Sequence, residues 1–210
     1  MTEHRLFDPA DPPEWLDPEW WRDREHCDHL GSPTGAHVAR LRATAQLAER
    51  ATLMVSYSAT PYVVDLGAGD GALLSLLPEP LRSASYGYDV INNDIIYAQR
   101  ARGVELRPTV NLFDDLDYEH FELGPVIVLT EVLEHMADPH GFLAKLHARP
   151  EVRYVVASSP HSETPGRHEW NHAWAWDCRG YLAMFRAAGF KGVEYQEIEW
   201  SQLWLFEAVR

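Results

Sequence analysis

The hydrophobic and polar positions of this chain divide it into two unequal parts. From residue 62 onwards, short apolar segments alternate with segments whose apolar residues recur at helical spacing, which predicts alternating strands and helices. The predicted strands are residues 62–66, 85–88, 104–106, 126–129, 152–157, 193–198 and 202–209. The predicted helices are residues 72–77, 94–102, 139–148 and 177–188.

This alternation predicts an α/β fold, in which helices cover both faces of a doubly wound, mostly parallel sheet of seven strands. Only residues 199–201 separate the last two strands, so we expect these strands to pair as a closing antiparallel hairpin. In such sheets, ligands bind beyond the C-terminal ends of the strands, at the point where the strand order reverses. The hydrophobic pattern therefore predicts where the functional site lies.

The first 57 residues look like an N-terminal extension. Residues 9–21 are rich in proline and tryptophan, and the prolines exclude a long helix there. Residues 36–57 contain neither glycine nor proline, and their apolar residues recur at near-helical spacing. We predict one amphipathic helix that ends near Ser58.

Composition and charge narrow the classes of function. The formal net charge of −14 disfavours a long DNA or RNA duplex as the partner, because such partners bind basic surfaces. The two cysteines, Cys27 and Cys178, do not make a disulfide framework, which favours a reducing, cytoplasmic location. No apolar run is long enough to span a membrane, and the polar N-terminus does not resemble a secretory signal.

The most specific motif is a glycine-rich turn after the first predicted strand, where residues 63–71 read VVDLGAGDG. Gly67 and Gly69 permit backbone angles that a side chain forbids, and they let a ligand lie against the main chain. The next helix presents free N–H groups to that ligand. Asp89 ends the following strand about 20 residues later, where an acid accepts hydrogen bonds from ribose hydroxyls. This context predicts a cofactor site rather than a simple tight connection.

The GxGxG turn and its upstream acid resemble the class I S-adenosylmethionine-dependent methyltransferases. The resemblance implies a Rossmann-like fold and S-adenosyl-L-methionine as the cofactor. It also implies that Asp65 and Gly67 hold the methionine end and that Gly69 passes close to the cofactor. By the same resemblance, Asp89 binds the ribose hydroxyls and Val90 lies beside the adenine.

The resemblance covers residues 60–210 and includes the closing hairpin. It implies that Asn111 and Leu112 contact the adenine, although the family usually has an aspartate there, and Asp114 is the alternative. We therefore expect residues 58–210 to form the S-adenosylmethionine-binding domain. Residues 1–57 are then an extension that covers the substrate.

Residues 130–135, TEVLEH, follow the fourth predicted strand and allow two interpretations. In many metal-free class I methyltransferases, the residue at Glu131 lines the cofactor pocket and His135 orients the next loop. Alternatively, carboxylates and histidines bind a divalent ion such as Mg²⁺, Mn²⁺ or Co²⁺. The E-x-x-E-H segment and a distant histidine resemble the small-RNA 3′-end 2′-O-methyltransferases, which place a metal on the two terminal ribose hydroxyls.

That resemblance gives the candidate metal ligands Glu131, Glu134, His135 and His168. We favour the metal-free interpretation, because EVLEH is common in metal-free relatives and the segment around His168 matches the RNA enzymes only loosely.

Histidines and tryptophans are concentrated in residues 161–176, which should lie over the ligand site as a lid. Histidine titrates near neutrality, so the candidate general bases are His135, His161 and His172. The sequence thus predicts an enzyme that methylates an oxygen or nitrogen of an unidentified acceptor, with a small molecule favoured. The alternatives are metal-assisted methylation of an RNA 3′ end, a non-catalytic S-adenosylmethionine-binding module, and an NAD-dependent oxidoreductase.

Overall fold

In a computed structural model, the chain is described over residues 2–25, 27–31, 36–55, 61–118 and 121–210. The strands are β1 (Glu3–Arg5), β2 (Val63–Leu66), β3 (Tyr86–Asp89), β4 (Glu105–Pro108), β5 (Val126–Thr130), β6 (Tyr154–Pro160), β7 (Trp174–Trp176), β8 (Phe190–Ile198) and β9 (Ser201–Ala208). The α-helices are α1 (Pro18–Trp21), α2 (Ala36–Met54), α3 (Ala72–Ser75), α4 (Leu81–Ala84), α5 (Asn92–Tyr97), α6 (Leu112–Asp115), α7 (Pro139–Ala148) and α8 (Cys178–Ala187).

Short helical turns of other types complete the secondary structure. Residues Glu14–Leu16 and Leu133–His135 are 3₁₀ turns, and Ala98–Arg102 continues α5 as a π-helical turn. Helix α2 matches the predicted amphipathic helix. Its predicted end near Ser58 and the predicted boundary between residues 57 and 58 lie outside the described residues.

The main sheet has seven strands in the order β4-β3-β2-β5-β6-β9-β8. Strands β2 to β6 are mutually parallel, whereas β9 runs antiparallel to both β6 and β8. The predicted α/β fold with its closing hairpin is therefore confirmed. Strand order reverses between β2 and β5, so the C-terminal ends of these two strands flank the position where ligands bind in such sheets.

The core lies in two layers, one on each face of this sheet, because side chains alternate along each strand. Val63 and Val128 belong to the layer that contains Leu47 of α2. Val64 and Ile127 belong to the opposite layer, which includes the aromatic residues of α7 and α8. Helix α2 is thus packed into the core of the α/β unit, although it precedes the first strand of the main sheet.

Capping explains why the predicted bounds of α7 agree with the structure. Asp138 precedes the helix and accepts a hydrogen bond from the Gly141 N–H at 2.9 Å, and Pro139 occupies the first helical position. The three-residue pairing of β1 with β7 was not predicted, since a segment this short carries no periodic signal. None of the helices in the described part of the chain combines the length and the apolar character that crossing a membrane requires.

Candidate functional site

A cavity of about 1170 Å³ opens at the C-terminal ends of β2, β3 and β5. The glycine turn forms one wall, the histidine-rich segment after β6 forms another, and residues of the N-terminal extension also contribute to the lining. Pockets for one small ligand usually enclose about 300–1,000 Å³. This cavity is therefore larger than a typical pocket for one small ligand.

The glycine turn follows β2 with an unusual backbone conformation. Gly67 and Gly69 have φ angles of +76° and +53°, in the left-handed region that favours glycine. A Cβ atom at residue 67 would lie 2.7 Å from a methyl carbon of Val132, so packing alone requires glycine there. Among the described residues, a Cβ at residue 69 would meet only the His29 ring, at 3.3 Å. The backbone at Gly69 is therefore the part of the turn that faces the cavity.

Asp89 joins the end of β3 to this turn. Its Oδ2 accepts a hydrogen bond from the Gly69 N–H at 2.7 Å, and its Oδ1 accepts one from the Ile91 N–H at 2.8 Å. Burial raises the pKa of Asp89 to about 6, against the opposing effect of these hydrogen bonds. Both Asp89 and the adjacent Val90 line the cavity. An oxygen with one N–H partner can still accept a further hydrogen bond from a ligand.

Asp65 is buried beneath the turn and also lines the cavity. Its Oδ1 has no hydrogen-bond partner among the described residues. Burial raises the pKa of Asp65 to about 8; the charges of Asp89 and Asp70 add to the rise, and Arg40 opposes it. An unpaired buried carboxyl is costly, so this site favours a ligand that brings a positive charge or a hydrogen-bond donor.

Asn111 and Leu112 also line the cavity. The Asn111 side chain caps α6 by accepting the Phe113 N–H at 3.0 Å, and its amide donates to Asp114 Oδ2 at 2.8 Å. Asp114 does not line the cavity. Of the two alternatives that the sequence left open for the adenine contact, the cavity wall thus contains Asn111.

Glu131 stands at the end of β5 with a φ of +55°, an uncommon angle for a residue with a side chain. Its carboxylate accepts a hydrogen bond from Ser158 Oγ at 2.9 Å and lies 3.6 Å from Arg40 Nη1. Glu131 therefore lines the cavity while its charge is directed towards helix α2. It is not among the residues whose ligand atoms converge.

The residues that do converge are Glu134, His135 and His172, whose ligand atoms all lie within 4.8 Å of one another. Glu134 is fully buried, and neither of its carboxylate oxygens has a hydrogen-bond partner in the described part of the chain. Burial, with the nearby charge of Glu131, raises the pKa of Glu134 well above its usual value. A buried carboxyl in this state either keeps its proton or requires a cation.

The two histidines are oriented by hydrogen bonds to their Nδ1 atoms. His135 Nδ1 lies 2.9 Å from the Asn171 carbonyl oxygen, and His172 Nδ1 lies 2.7 Å from Glu163 Oε2. Both partners accept hydrogen bonds, so each ring carries a proton on Nδ1 and has its Nε2 directed away from that partner. Burial and the neighbouring His172 lower the pKa of His135 to about 4. His135 is therefore neutral at pH 7.

The structure does not bring the other two predicted histidines into this cluster. His161 does not line the cavity, and its Nε2 lies 3.2 Å from Glu197 Oε1 on the closing hairpin. His168 is exposed at the cavity rim, where its Nδ1 lies 2.8 Å from the Glu169 carbonyl oxygen. Of the four predicted metal ligands, the structure brings Glu134 and His135 together with His172, and it places Glu131 and His168 outside this cluster. Of the three candidate bases, His135 and His172 line the cavity and His161 does not.

The N-terminal extension contributes cavity residues that were not predicted individually. The Trp21 and His135 rings meet edge to face, with centroids 5.6 Å apart. The His29 N–H and Nδ1 lie 3.1 and 3.0 Å from the Asp70 carboxylate, so this segment is attached directly to the glycine turn. Tryptophans in a proline-rich segment were the only sequence signal that it has a packed position.

Comparison with known proteins agrees with this geometry. The methyltransferase domain family matches residues 38–194. No curated protein is significantly similar in sequence. Among solved structures, the chain is similar to the methyltransferase domain of bacterial CtHen1, with 18% identity, a TM-score of 0.62, and coverage of 83% of this chain and 100% of that one.

Two further structures show how varied the proteins with this fold are. Magnesium protoporphyrin IX methyltransferase from Synechocystis PCC 6803 has 15% identity and a TM-score of 0.59, with 90% of this chain and 92% of that one covered. The [4+2]-cyclase SpnF has 12% identity and a TM-score of 0.63, with 93% and 91% covered. These similarities establish the fold, and the family match extends over most of the chain. The chain is therefore an enzyme of the class I S-adenosylmethionine-dependent methyltransferase family.

Proposed function

We propose that this enzyme transfers the methyl group of S-adenosylmethionine to an oxygen or nitrogen atom of a small acceptor bound beside the histidine cluster. The observation that carries this proposal is the shared cavity. Its walls contain Asp65, the Gly69 backbone and Asp89 on the cofactor side, and His135 and His172 on the other side. Its volume of about 1170 Å³ accommodates both ligands.

The residues on the cofactor side fit S-adenosylmethionine. The unpaired Oδ1 of Asp65 matches the positively charged amino group, and Asp89 retains accepting capacity for ribose hydroxyls. Val90 and Leu112 supply apolar surface, and Asn111 stands beside them. When bound, the cofactor supplies a methyl carbon that its sulfonium has already activated. The protein then has to align the acceptor and remove a proton where the chemistry requires it.

The cavity wall that contains His135 and His172 is suited to removing that proton. His172 is buried, and the Glu163 carboxylate holds its Nδ1 proton, so its Nε2 is free to accept a proton from the acceptor. The same carboxylate stabilises the imidazolium that forms. The ring centroid of His135 lies 4.8 Å from that of His172. Its lowered pKa keeps His135 neutral, so it serves as a second acceptor of hydrogen bonds.

We further propose that the residues preceding α2 cover the acceptor, while α2 belongs structurally with the methyltransferase domain. Leu16, Trp21 and His29 line the cavity, whereas Leu47 of α2 is buried against the sheet. Among the rival functions, a non-catalytic binding module would not require the Glu163–His172 pair. We also propose a cytoplasmic location.

Cofactor binding tests the proposal directly. Replacing Asp89 with alanine is expected to weaken S-adenosylhomocysteine binding by about 1.5–3 kcal/mol per hydrogen bond lost, because bonds to a charged group are lost. Isothermal titration calorimetry on wild type and variant measures this difference. Asp117→Ala is the matched control, since Asp117 is exposed, lies outside the cavity and should leave the affinity unchanged. Tighter binding of NAD than of S-adenosylhomocysteine, or an unaltered affinity in Asp89→Ala, would contradict the assignment.

A second candidate function, metal-assisted methylation of vicinal hydroxyls such as those of an RNA 3′ end, is favoured by one observation. Two histidines and a buried carboxyl group that has no hydrogen-bond partner among the described residues converge at Glu134, His135 and His172. Histidines that ligate metals usually donate their other ring N–H to a carboxylate or carbonyl, as both do here. A divalent ion at this position would lower the pKa of a hydroxyl bound to it.

Direct metal binding distinguishes the two candidates without a known acceptor. If the cluster binds metal, protein treated with EDTA should bind Mn²⁺ or Co²⁺ in a calorimetric titration, and Glu134→Gln should abolish the binding. His168→Ala is the control, because His168 lies outside the cluster and its loss should have no effect. The metal-free mechanism predicts no saturable binding of Mn²⁺, Co²⁺ or Mg²⁺ by the wild type. That result would remove the second candidate.

A further inference from the structure

Arg24 of the N-terminal extension is held by stacking against tryptophans and not by an ion pair. Its guanidinium carbon lies 3.1 Å from the ring centroid of Trp20, and 5.7 and 6.0 Å from those of Trp21 and Trp170. In the part of the chain that the structure describes, no carboxylate or other acceptor engages this guanidinium. Arg24 thus brings to the cavity wall a positive charge that the described residues do not compensate by an ion pair.

Stacking leaves the hydrogen-bond donors of Arg24 available. These donors lie in the plane of the guanidinium, whereas the tryptophan occupies one of its faces. A planar fork of donors that is held in this way matches the paired oxygens of a carboxylate or phosphate group. The formal net charge of −14 repels anions in general, so an anionic ligand needs a local cation of this kind at its binding site.

The Trp21 ring connects this guanidinium to the histidine cluster. Its centroid lies 5.6 Å from the His135 ring and 5.7 Å from the guanidinium carbon of Arg24. The indole N–H of Trp21 donates to the Trp15 carbonyl oxygen at 2.7 Å, so the ring offers only apolar surface to the cavity. Leu16 lines the cavity as well and adds to this apolar surface. The wall therefore combines hydrogen-bonding histidines, a flat apolar surface and a cationic fork of donors.

We propose that the methyl acceptor is a hydroxylated or aminated aromatic compound that carries a carboxylate or phosphate group, and that Arg24 binds this anionic group. The aromatic ring of the acceptor packs on Trp21, and its hydroxyl or amino group lies beside His172. That oxygen or nitrogen bonds to the methyl carbon while the carbon–sulfur bond breaks, the electron pair of that bond stays on sulfur, and the acceptor's proton passes to His172 Nε2. This inference rests on the proposed function and names the substrate class of the same site.

The test measures the binding of three probes by calorimetry to protein that is saturated with S-adenosylhomocysteine. The probes are para-hydroxybenzoate, para-hydroxyphenyl phosphate and the neutral para-hydroxybenzamide, so the first two distinguish a carboxylate from a phosphate. The wild type should bind at least one of the two anions about five- to tenfold more tightly than the amide, as expected for a charge-assisted contact at a partly exposed site. Added salt should reduce this preference, because it screens the charges.

Substitutions of Arg24 separate anion binding from a purely structural role. In Arg24→Gln, the affinity for the preferred anion should fall about five- to tenfold, the affinity for the amide should barely change, and the preference should disappear. Arg22→Gln is the matched control, because Arg22 belongs to the same segment, pairs with Glu19 and does not line the cavity. If Arg24→Gln does not fold by circular dichroism, Arg24→Lys keeps the charge without the planar fork and should retain part of the preference.

Equal weakening of the anions and the amide in a folded Arg24 variant would overturn the inference, since it would mean that Arg24 only supports the cavity wall. A wild type that binds the amide as tightly as both anions would overturn it as well, and so would one that binds S-adenosylhomocysteine but none of the three probes. A wild type that does not bind S-adenosylhomocysteine would instead overturn the proposed function.

Discussion

Replacing Gly69 with valine is expected to abolish cofactor binding while the protein still folds. The φ angle of +53° at Gly69 is unfavourable for any residue with a side chain, and most of all for a β-branched one. The new side chain would also stand where the backbone faces the cavity. Its only near neighbour in the described structure is the His29 ring, at 3.3 Å from the Cβ position. Because that ring belongs to the N-terminal extension and not to the hydrophobic core, the fold should tolerate the substitution.

Equilibrium dialysis with S-adenosylhomocysteine measures the loss, and circular dichroism checks the fold. Gly103→Val is the matched control, since Gly103 has a comparable φ of +66° and does not line the cavity, and no atom of the residues that the structure describes lies within 4 Å of its Cβ position. Backbone strain should therefore destabilise both variants, but only the Gly69 variant should lose the ligand. A folded Gly69→Val protein with wild-type affinity would mean that the turn is only a structural connection.

The strands of the main sheet were predictable because their runs of apolar residues are distinct. Residues 126–129 are fully apolar, and they form a central strand that is buried on both faces. The strand–glycine–helix motif likewise led to Asp65, Gly69 and Asp89, all of which line one cavity. Here the local sequence determines the local geometry, and the position of the cavity follows from the strand order.

The histidine that lies beside Glu134 and His135 was not predictable in the same way. His168 and His172 lie four residues apart in a segment without hydrophobic periodicity, so the sequence alone cannot decide which one faces the cluster. In the structure, the Ala173 N–H donates to the Glu134 carbonyl at 2.6 Å, which holds the segment beside the turn that contains Glu134 and His135. This long-range contact selects His172, and no pattern in the sequence reports it.

The position of Arg40 in the cavity wall was not predicted, for a related reason. Arginine in an amphipathic helix usually belongs to the solvated face, and the predicted helix carries several charged residues. Its burial depends on which side of α2 packs against the sheet. The ends of β5 and β6 lie beside that helix, so Glu131 and Ser158 meet the guanidinium only in the folded protein.

The pH dependence of cofactor affinity should report on Asp65. In the free protein, burial raises the pKa of this carboxyl to about 8, so it is largely protonated at neutral pH. Accepting a hydrogen bond from the cofactor's ammonium group requires the ionised form, so binding must release that proton. Affinity should therefore rise about tenfold per pH unit between about pH 6.5 and about pH 7.5, since each unit corresponds to about 1.4 kcal/mol. Asp89, with a pKa of about 6, is mostly ionised across this window.

Calorimetry with S-adenosylhomocysteine at several pH values measures this slope, and repeating it in buffers of different ionisation enthalpy counts the protons released. Asp65→Asn should bind more weakly, with no slope and no proton release in this window.

The stability of the free protein supplies an independent reading of the same pKa. The unfolded Asp65 titrates near 3.8, so between about pH 4 and about pH 8 the native state binds more protons than the unfolded state. The contribution of Asp65 to stability must therefore fall as pH rises through that range and level off above it. Asp65→Asn lacks this decline, so it should unfold at a higher temperature than the wild type at pH 8 although it binds the cofactor less well. Wild-type affinity that is flat with pH, together with equal thermal stability of the two proteins at pH 8, would show that Asp65 is ionised in the free enzyme.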